Sequence, residues 1–341
     1  MTFLLIILAL ICLWRMKTPG YQEGFLSKDS TTAIKGVFTF LILFSHARGY
    51  LTLSDSWKNS FYCVVQDHLG QLIVAVFFLY SGFGIWESFQ RNKDYEITFF
   101  TRRFLKVLLH FDIAIALFVV VQLLFSITYT PRQYLLCWIG WEDVGNSNWF
   151  IFVILCLYLI ALAAMCLQRR WGHGGIAFCV LLTAVLWIVL RLVSGKESWW
   201  VDTMAAFPLG IVLSSQKERI LDAFRKQGVP YLASASLLVL FIIIHRSIGN
   251  DIYGIAACIF CCLIVALSSW IHIGNPVLAW AGKNAFTVYI IQRLPMILCT
   301  SYGINQKPAL FLAIVIPVTF LLAEGLSRLY ATLDKKLFAH A

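Results

Sequence analysis

The sequence predicts an all-α polytopic membrane protein with about eleven transmembrane helices. Of its 341 residues, 60% are hydrophobic and 13% are charged, whereas a typical soluble domain has about 25% charged residues. Apolar stretches long enough to cross a ~30 Å hydrocarbon core recur along almost the whole chain. The loops between these stretches are too short to hold a separate soluble domain.

Each predicted helix corresponds to one apolar segment. The segments are residues 2–14, 34–53, 70–90, 105–128, 148–167, 174–193, 200–215, 230–246, 252–271, 283–301 and 308–330. The first and the seventh are short for a transmembrane helix, which needs about 20 residues. The first segment also lacks the basic start and the small-residue cleavage site of a signal peptide. We therefore expect it to remain as a transmembrane anchor.

The formal net charge of +10 follows from membrane topology. If the loop after the first helix is cytoplasmic, most of the 27 lysines and arginines fall on the same side. This asymmetry is the positive-inside pattern, and it predicts an external N-terminus and a cytoplasmic C-terminus. Because the cations follow the topology, they indicate membrane lipid rather than nucleic acid as a partner.

A histidine within the second predicted helix is the first candidate functional residue. Lys35 precedes His46 by eleven residues, so both side chains share one helix face and lie about 16 Å apart along the axis. We expect Lys35 to begin the helix at the cytoplasmic membrane surface and His46 to lie near the midplane. An ionisable group at that depth indicates a functional site, although a structural histidine bonded to a neighbouring helix is the alternative.

Two adjacent arginines precede the apolar part of the fourth predicted helix. Arg102 and Arg103 either anchor the helix to lipid phosphates or bind a phosphate-bearing substrate through their planar guanidinium groups. Asp112 follows on the same helix. A carboxylate near His46 would fix the tautomer of the imidazole, but nothing in the sequence shows that the two residues meet.

Further polar residues interrupt three apolar segments. Ser81 lies at a small polar break that suits hydrogen bonding or ordinary helix packing. Asn148 and Trp149 open a helix at the outer side, where tryptophan belongs to the aromatic belt or offers a surface to a carbohydrate. Gln292 and Arg293 lie in the middle to outer half of the tenth segment. An arginine at that depth must snorkel, pair or line a cavity.

The ten cysteines lie mostly within apolar segments. Cys258, Cys261 and Cys262 come closest to a metal-binding cluster, but no histidine or carboxylate accompanies them in their helix. Small apolar side chains that fill the helix interface explain them better. We therefore predict no metal site. The sequence also has no GxxxxGK phosphate loop.

Five segments, taken in order, resemble the acyltransferase 3 family, whose multispan membrane enzymes acylate cell-surface carbohydrates. They are the Lys35 to His46 spacing, FFLYSGFGI, the Arg102-Arg103 pair, NWFIFVILCLY and GKNAFTVYIIQR. Two positions depart from the family pattern. Lys35 replaces an arginine, which keeps the charge but loses bidentate geometry, and Gln292 replaces the usual late histidine.

The resemblance implies a ten-helix core to which the first helix is an addition. It divides the chain into an N-terminal helix with a cytoplasmic loop, residues 1–31, and a membrane acyltransferase domain, residues 32–330. A cytoplasmic tail, residues 331–341, completes the chain. The membrane would be the bacterial plasma membrane.

The resemblance also implies a reaction. An acetyl group, or another short acyl group, would move from cytoplasmic acetyl-CoA to a hydroxyl of a cell-surface or lipid-linked carbohydrate. The acyl-CoA is then a co-substrate, and no bound cofactor is expected. His46 would be the general base, and the acyl-CoA phosphates would bind Lys35, Arg102 and Arg103. Candidates for the acceptor pocket or for supporting roles are Ser81, Asp112, Asn148, Trp149, Gln292 and Arg293.

Two alternatives stay open at this point. A covalent acyl-histidine relay could replace general-base catalysis at the same residue. A transporter or flippase for a lipid-linked saccharide, without acyl transfer, would share a polar route through the membrane. Such transporters are often built from inverted repeats, and the sequence contains no repeat of that kind.

Overall fold

The computed structural model describes residues 1–17, 20–53, 57–247 and 253–338. Two expectations lie outside these residues: the start of the ninth predicted helix at residue 252 and the end of the predicted tail, residues 339–341. The helices are α1 (Thr2–Leu13), α2 (Lys28–Arg48), α3 (Trp57–Leu69), α4 (Leu72–Arg91), α5 (Tyr95–Leu124), α6 (Pro131–Leu136), α7 (Trp149–Trp171), α8 (Gly175–Val193), α9 (Ala206–Ser215), α10 (Lys217–Phe224), α11 (Val229–Ser247), α12 (Tyr253–Ser268), α13 (Pro276–Lys283), α14 (Ala285–Ser301) and α15 (Pro308–Leu337).

The all-α polytopic class is confirmed. Within the described ranges there is no β-strand, and each predicted segment corresponds to a helix. Among the residues that the structure describes, six helices are long and apolar enough to cross a membrane, or up to seven if α10 and α11 form one bent span. The helices α1, α9, α12 and α14 are apolar but shorter. The sequence missed α3, α6, α10 and α13, because each is too short or too polar to give a transmembrane signal.

The position of α2 differs from the prediction. The Ser27 side chain accepts a hydrogen bond from the backbone N–H of Ser30 at 3.2 Å, and this N-cap starts the helix at Lys28. Lys35 therefore lies two turns inside α2, and His46 lies in its last turn. The expectation that Lys35 begins the helix is wrong. The turn before Lys35 is polar, so the apolar pattern of the sequence did not show where the helix starts.

The helix that carries the arginine pair also begins earlier than predicted. α5 starts at Tyr95, and residues Phe100–Leu105 form a π-helical turn within it. Arg102 and Arg103 thus lie inside the helix rather than in front of it. Single π-helical turns occur frequently at functional sites, because they shift the side chains of one helical turn.

Two close helix crossings hold the centre of the protein together. At the crossing of α2 with α13, Gly36 contacts the backbone of Leu278. At the crossing of α4 with α9, Gly82 contacts the carbonyl oxygen of Phe207. Glycine permits this approach because a Cβ atom at either position would overlap the neighbouring backbone. Gly82, which follows Ser81, therefore serves helix packing.

We expect Gly82→Ala to destabilise the protein. The new Cβ collides with the backbone of α9, and overpacking of this kind costs about 1–3 kcal/mol. Gly325→Ala in α15 is the matched control, since nothing lies within 4 Å of its Cβ position. Both substitutions gain about 1 kcal/mol of helix propensity, so the difference between their melting temperatures in detergent isolates the collision. Equal melting temperatures for the two variants would contradict the close crossing of α4 and α9 at Gly82.

Candidate active site

A cavity of about 1140 Å³ lies among α2, α4, α5, α7, α14 and α15, with α10 and α13 at one end. The charged lining residues of α2 come from its first half and those of α4 from its last turns. The two helices therefore run antiparallel along the cavity and bring their charged ends together. We name this end the basic mouth, after the lining cations Lys28, Lys35, Arg91, Arg103, Lys106, Lys217 and Lys283.

Carboxylates neutralise only part of the basic mouth. The Lys106 ammonium lies 2.8 Å from Asp334, while Lys217 and Arg91 share Glu87 at 2.7 and 3.0 Å. Within the described part of the chain, the remaining cations of the mouth have no carboxylate partner; they are Lys28, Lys35, Arg103 and Lys283. Like charges held close together repel each other. A polyvalent anion in the mouth would remove this repulsion.

Lys35 lies at the centre of the unpaired charge. It is half-buried, and the positive charges of Lys28 and Arg103 both interact with it electrostatically. Lys28 and Lys283 are exposed, so the mouth opens to solvent on that side. Lys35 thus points into the cavity, where it can meet an anion that enters from solvent.

The two adjacent arginines face different surroundings. Arg103 lines the cavity together with Lys106 and His110, residues spaced to share one face of α5. Its Nε donates a hydrogen bond to the Tyr95 hydroxyl at 3.2 Å, which orients the guanidinium. Arg102 is not among the residues that line the cavity. The structure therefore separates two residues that the sequence treated as a pair.

The other end of the cavity, which we name the deep end, is uncharged. Its lining residues are Ile42, Val74, Phe77, Phe150 and Ile154. Ile42 follows Lys35 by seven residues on α2, so it lies about 10 Å deeper. Midway between the two ends, the Ser81 hydroxyl lies 3.1 Å from the Tyr158 hydroxyl, and both residues line the cavity.

His46 lies immediately beyond the deep end, one turn after Ile42. Its ring centroid is 6.1 Å from that of Tyr289, and Tyr289 lines the cavity. The Nδ1 atom of His46 lies 3.3 Å from the hydroxyl oxygen of Ser147. Its Nε2 atom makes no hydrogen bond with the residues that the structure describes, whereas the buried hydroxyl of Tyr289 interacts with the same Ser147 side chain. The Nε2 atom of His46 is therefore available to a ligand.

Ser147 belongs to a loop that hydrogen bonds fix in front of α7. The Gln122 side-chain amide donates to the Val144 carbonyl, and the Asn146 side chain accepts from the Val144 N–H at 2.9 Å. The Asn148 amide donates to the backbone of the preceding turn at 3.0 Å. These bonds hold the loop on both sides of Ser147. No sequence pattern pointed to this residue, because 101 residues separate it from His46.

Gln292 and Arg293 lie where α14 is interrupted, near His46. Gln292 is fully buried, and its amide donates to the Tyr289 carbonyl at 3.3 Å. The positive charge of Arg293 interacts with His46, while its buried Nε has no hydrogen-bond partner within the described ranges. A guanidinium without a carboxylate partner can stabilise negative charge that develops beside the histidine.

The remaining predicted residues surround the cavity without lining it. The Asp112 carboxylate interacts with Cys137 rather than with His46, whose Nδ1 partner is Ser147. Trp149 packs against two phenylalanine rings, with centroid distances of 6.5 and 6.1 Å. Asn148 uses its amide to hold the loop. These positions fit supporting roles.

A second histidine on the cavity wall has partners that the sequence did not suggest. His110 Nε2 lies 3.0 Å from Asp334, the residue that also pairs with Lys106. The His110 ring stacks on Tyr330 with a centroid distance of 4.1 Å. Asp334 falls in the segment expected to be a tail, yet α15 continues to Leu337 and brings this carboxylate to the mouth.

We expect pyrophosphate to raise the melting temperature of the purified protein, because an anion that binds only the folded state stabilises it. Arg103→Gln removes a charge-assisted hydrogen bond worth about 1.5–3 kcal/mol, so it should weaken the apparent affinity about ten- to a hundredfold. Arg102→Gln changes the neighbouring charge on the same helical turn and should leave the affinity nearly unchanged. An equal loss in both variants would contradict a cavity-specific site.

Comparison with known proteins assigns this arrangement to a family. The model of the acyltransferase 3 family, described as an acyltransferase domain, matches residues 29–328. No curated protein and no solved structure matches the chain. The family match covers most of the 341 residues, including His46, Ser147 and all the cations of the basic mouth except Lys28. The protein therefore belongs to the acyltransferase 3 family and is a membrane acyltransferase.

Proposed function

We propose that the protein transfers an acetyl group from cytoplasmic acetyl-CoA to a hydroxyl of a cell-surface or lipid-linked carbohydrate. One observation carries the proposal: a single cavity leads from cations that lack carboxylate partners among the described residues to Tyr289, whose ring contacts His46, a histidine with a free ring nitrogen. Acetyl-CoA has the matching distribution of charge, because its phosphates lie at one end and its thioester at the end of a long uncharged arm.

The donor occupies the cavity from the basic mouth inward. Its phosphates bind Lys35 and Arg103 with help from Lys28 and Lys283, the cations that lack carboxylate partners. The uncharged arm passes the Ser81 hydroxyl and places the thioester at the deep end. A cavity of about 1140 Å³ exceeds the ~300–1,000 Å³ of ordinary small-molecule pockets, which suits a ligand as large as acyl-CoA.

The acceptor reaches His46 from the opposite side. His46 lies in the last turn of α2, about 16 Å beyond Lys35, whereas the mouth gathers cations at the other end of the helix. The positive-inside pattern places that mouth in the cytoplasm. The histidine then faces the outer half of the plasma membrane, where surface carbohydrates are modified.

The transfer itself balances with His46 as the general base. Its Nε2 takes the proton from the acceptor hydroxyl while the hydroxyl oxygen attacks the thioester carbonyl carbon. The tetrahedral oxyanion lies near the Tyr289 hydroxyl and Arg293, whose buried Nε has no hydrogen-bond partner among the described residues. The carbon–sulfur bond then breaks, and the thiolate recovers the proton from His46. General-base catalysis of this type contributes about 10²–10⁴-fold.

Ser147 sets the tautomer of the base. When the Ser147 oxygen accepts a hydrogen bond from Nδ1–H of His46, the lone pair lies on Nε2, the atom that faces the reacting groups. The fixed loop around Ser147 holds this hydroxyl in place. In this role Ser147 is a positioning residue, since it acts through His46.

We expect His46→Ala to reduce acetyl transfer by at least about 10²-fold, with expression and melting temperature little changed. The measurement is free thiol released from acetyl-CoA, together with acetyl incorporated into cell-surface polysaccharide added to the detergent-purified protein. Transfer that persists in the variant would remove His46 from the mechanism. Acetyl-CoA supplied without polysaccharide should leave no acetyl group on the protein, whereas an acetylated His46 would favour the covalent relay.

We expect Ser147→Ala to lower kcat about ten- to a hundredfold, because a small misplacement of a catalytic group has effects of this size. The KM for acetyl-CoA should stay unchanged, and Ser147→Thr should retain more activity than the alanine variant. Ser327→Ala is the control: its hydroxyl also lines the cavity but bonds Thr287 near the mouth. A Ser147→Ala enzyme with full kcat would show that Ser147 does not position His46.

A further inference from the structure

The deep end of the cavity is built from apolar side chains of three helices. α2 contributes Ile42, α4 contributes Val74 and Phe77, and α7 contributes Phe150 and Ile154. Val74 and Phe77 are three residues apart and therefore share one face of α4. The side chains meet where the thioester arm ends in the proposed function, on which this inference rests.

Two phenylalanines keep part of their surface open to this space. Phe77 and Phe150 are half-buried, whereas Phe78, between them in the packing, is fully buried. The Phe150 ring lies 4.7 Å from Phe78 and 5.2 Å from Tyr289 between centroids. Tyr289 in turn contacts His46. Phe150 is thus one ring removed from the base, next to the position of the acyl group.

The deep end also lacks any charged lining residue, since all the charged lining residues belong to the mouth or to the wall beside it. Arg293, the charged residue near His46, is not among the lining residues. The chemistry of this end suits a short uncharged chain.

We propose that Phe77 and Phe150 set the length of the acyl group that the enzyme accepts. The two rings close the space beyond the thioester, so each additional methylene of the acyl chain must displace an aromatic ring. Ile42 and Val74 complete the side walls.

The test compares kcat/KM for acetyl-, propionyl-, butyryl- and hexanoyl-CoA. For the unaltered enzyme we expect a fall of about tenfold or more for each methylene that no longer fits. Phe77→Ala and Phe150→Ala should raise the ratio of butyryl to acetyl transfer about tenfold or more. Phe152→Ala is the matched control on α7, because Phe152 packs against Trp141 and Trp200 instead.

If Phe150→Ala disturbs Tyr289, the Phe77 variant alone decides the test. If Phe77→Ala does not fold, Phe77→Leu is the milder substitution. An unchanged chain-length ratio in a folded, acetyl-active Phe77 variant would overturn the inference. That result would leave the proposed acetyl transfer unaffected. Failure of the unaltered enzyme to use any acyl-CoA would instead overturn the proposed function, and this inference with it.

Discussion

The site depends on a cluster of lysines and arginines that have no carboxylate partner among the described residues. Lys35 is half-buried between Lys28 and Arg103, and no carboxylate among the described residues pairs with any of the three. Two carboxylates that line the same mouth, Glu87 and Asp334, are engaged with other cations. Such an arrangement is unfavourable when empty and favourable around a polyvalent anion. The charge of the basic mouth therefore determines which ligand binds.

One helix, α2, fixes the distance between this positive charge and the proposed base. Lys35 and His46 both belong to α2, so the helical rise fixes their separation at about 16 Å. The glycine-mediated crossings at Gly36 and Gly82 bring α13 and α9 against α2 and α4, the two helices that form cavity walls. An anionic head bound at Lys35 can thus present the far end of an uncharged arm to His46, while Ser147 orients the imidazole.

The sequence predicted what local patterns encode. Apolar periodicity located the membrane helices, and helical spacing predicted that Lys35 and His46 share one face of α2. Lys35 lines the cavity, and His46 lies beyond its deep end in contact with Tyr289. It misplaced the start of α2, because the capping bond at Ser27 lies in a polar turn that resembles a loop. It could not find Ser147 or Asp334, since contacts across 101 and 224 residues arise only from packing. The sequence likewise could not distinguish Arg102 from Arg103, because only the structure shows that they lie on different faces of α5.

A structure of the protein bound to a non-hydrolysable thioether analogue of acetyl-CoA would test the central claim most directly. We predict that the analogue's phosphates lie within about 4 Å of Lys35 and Arg103, and that its acetyl-equivalent group ends at the deep end. The carbonyl carbon should lie close enough to His46 Nε2 for an acceptor hydroxyl to fit between them, with reacting atoms about 3–3.5 Å apart. Phosphates bound away from the basic mouth, or a carbonyl that does not reach His46, would contradict the account.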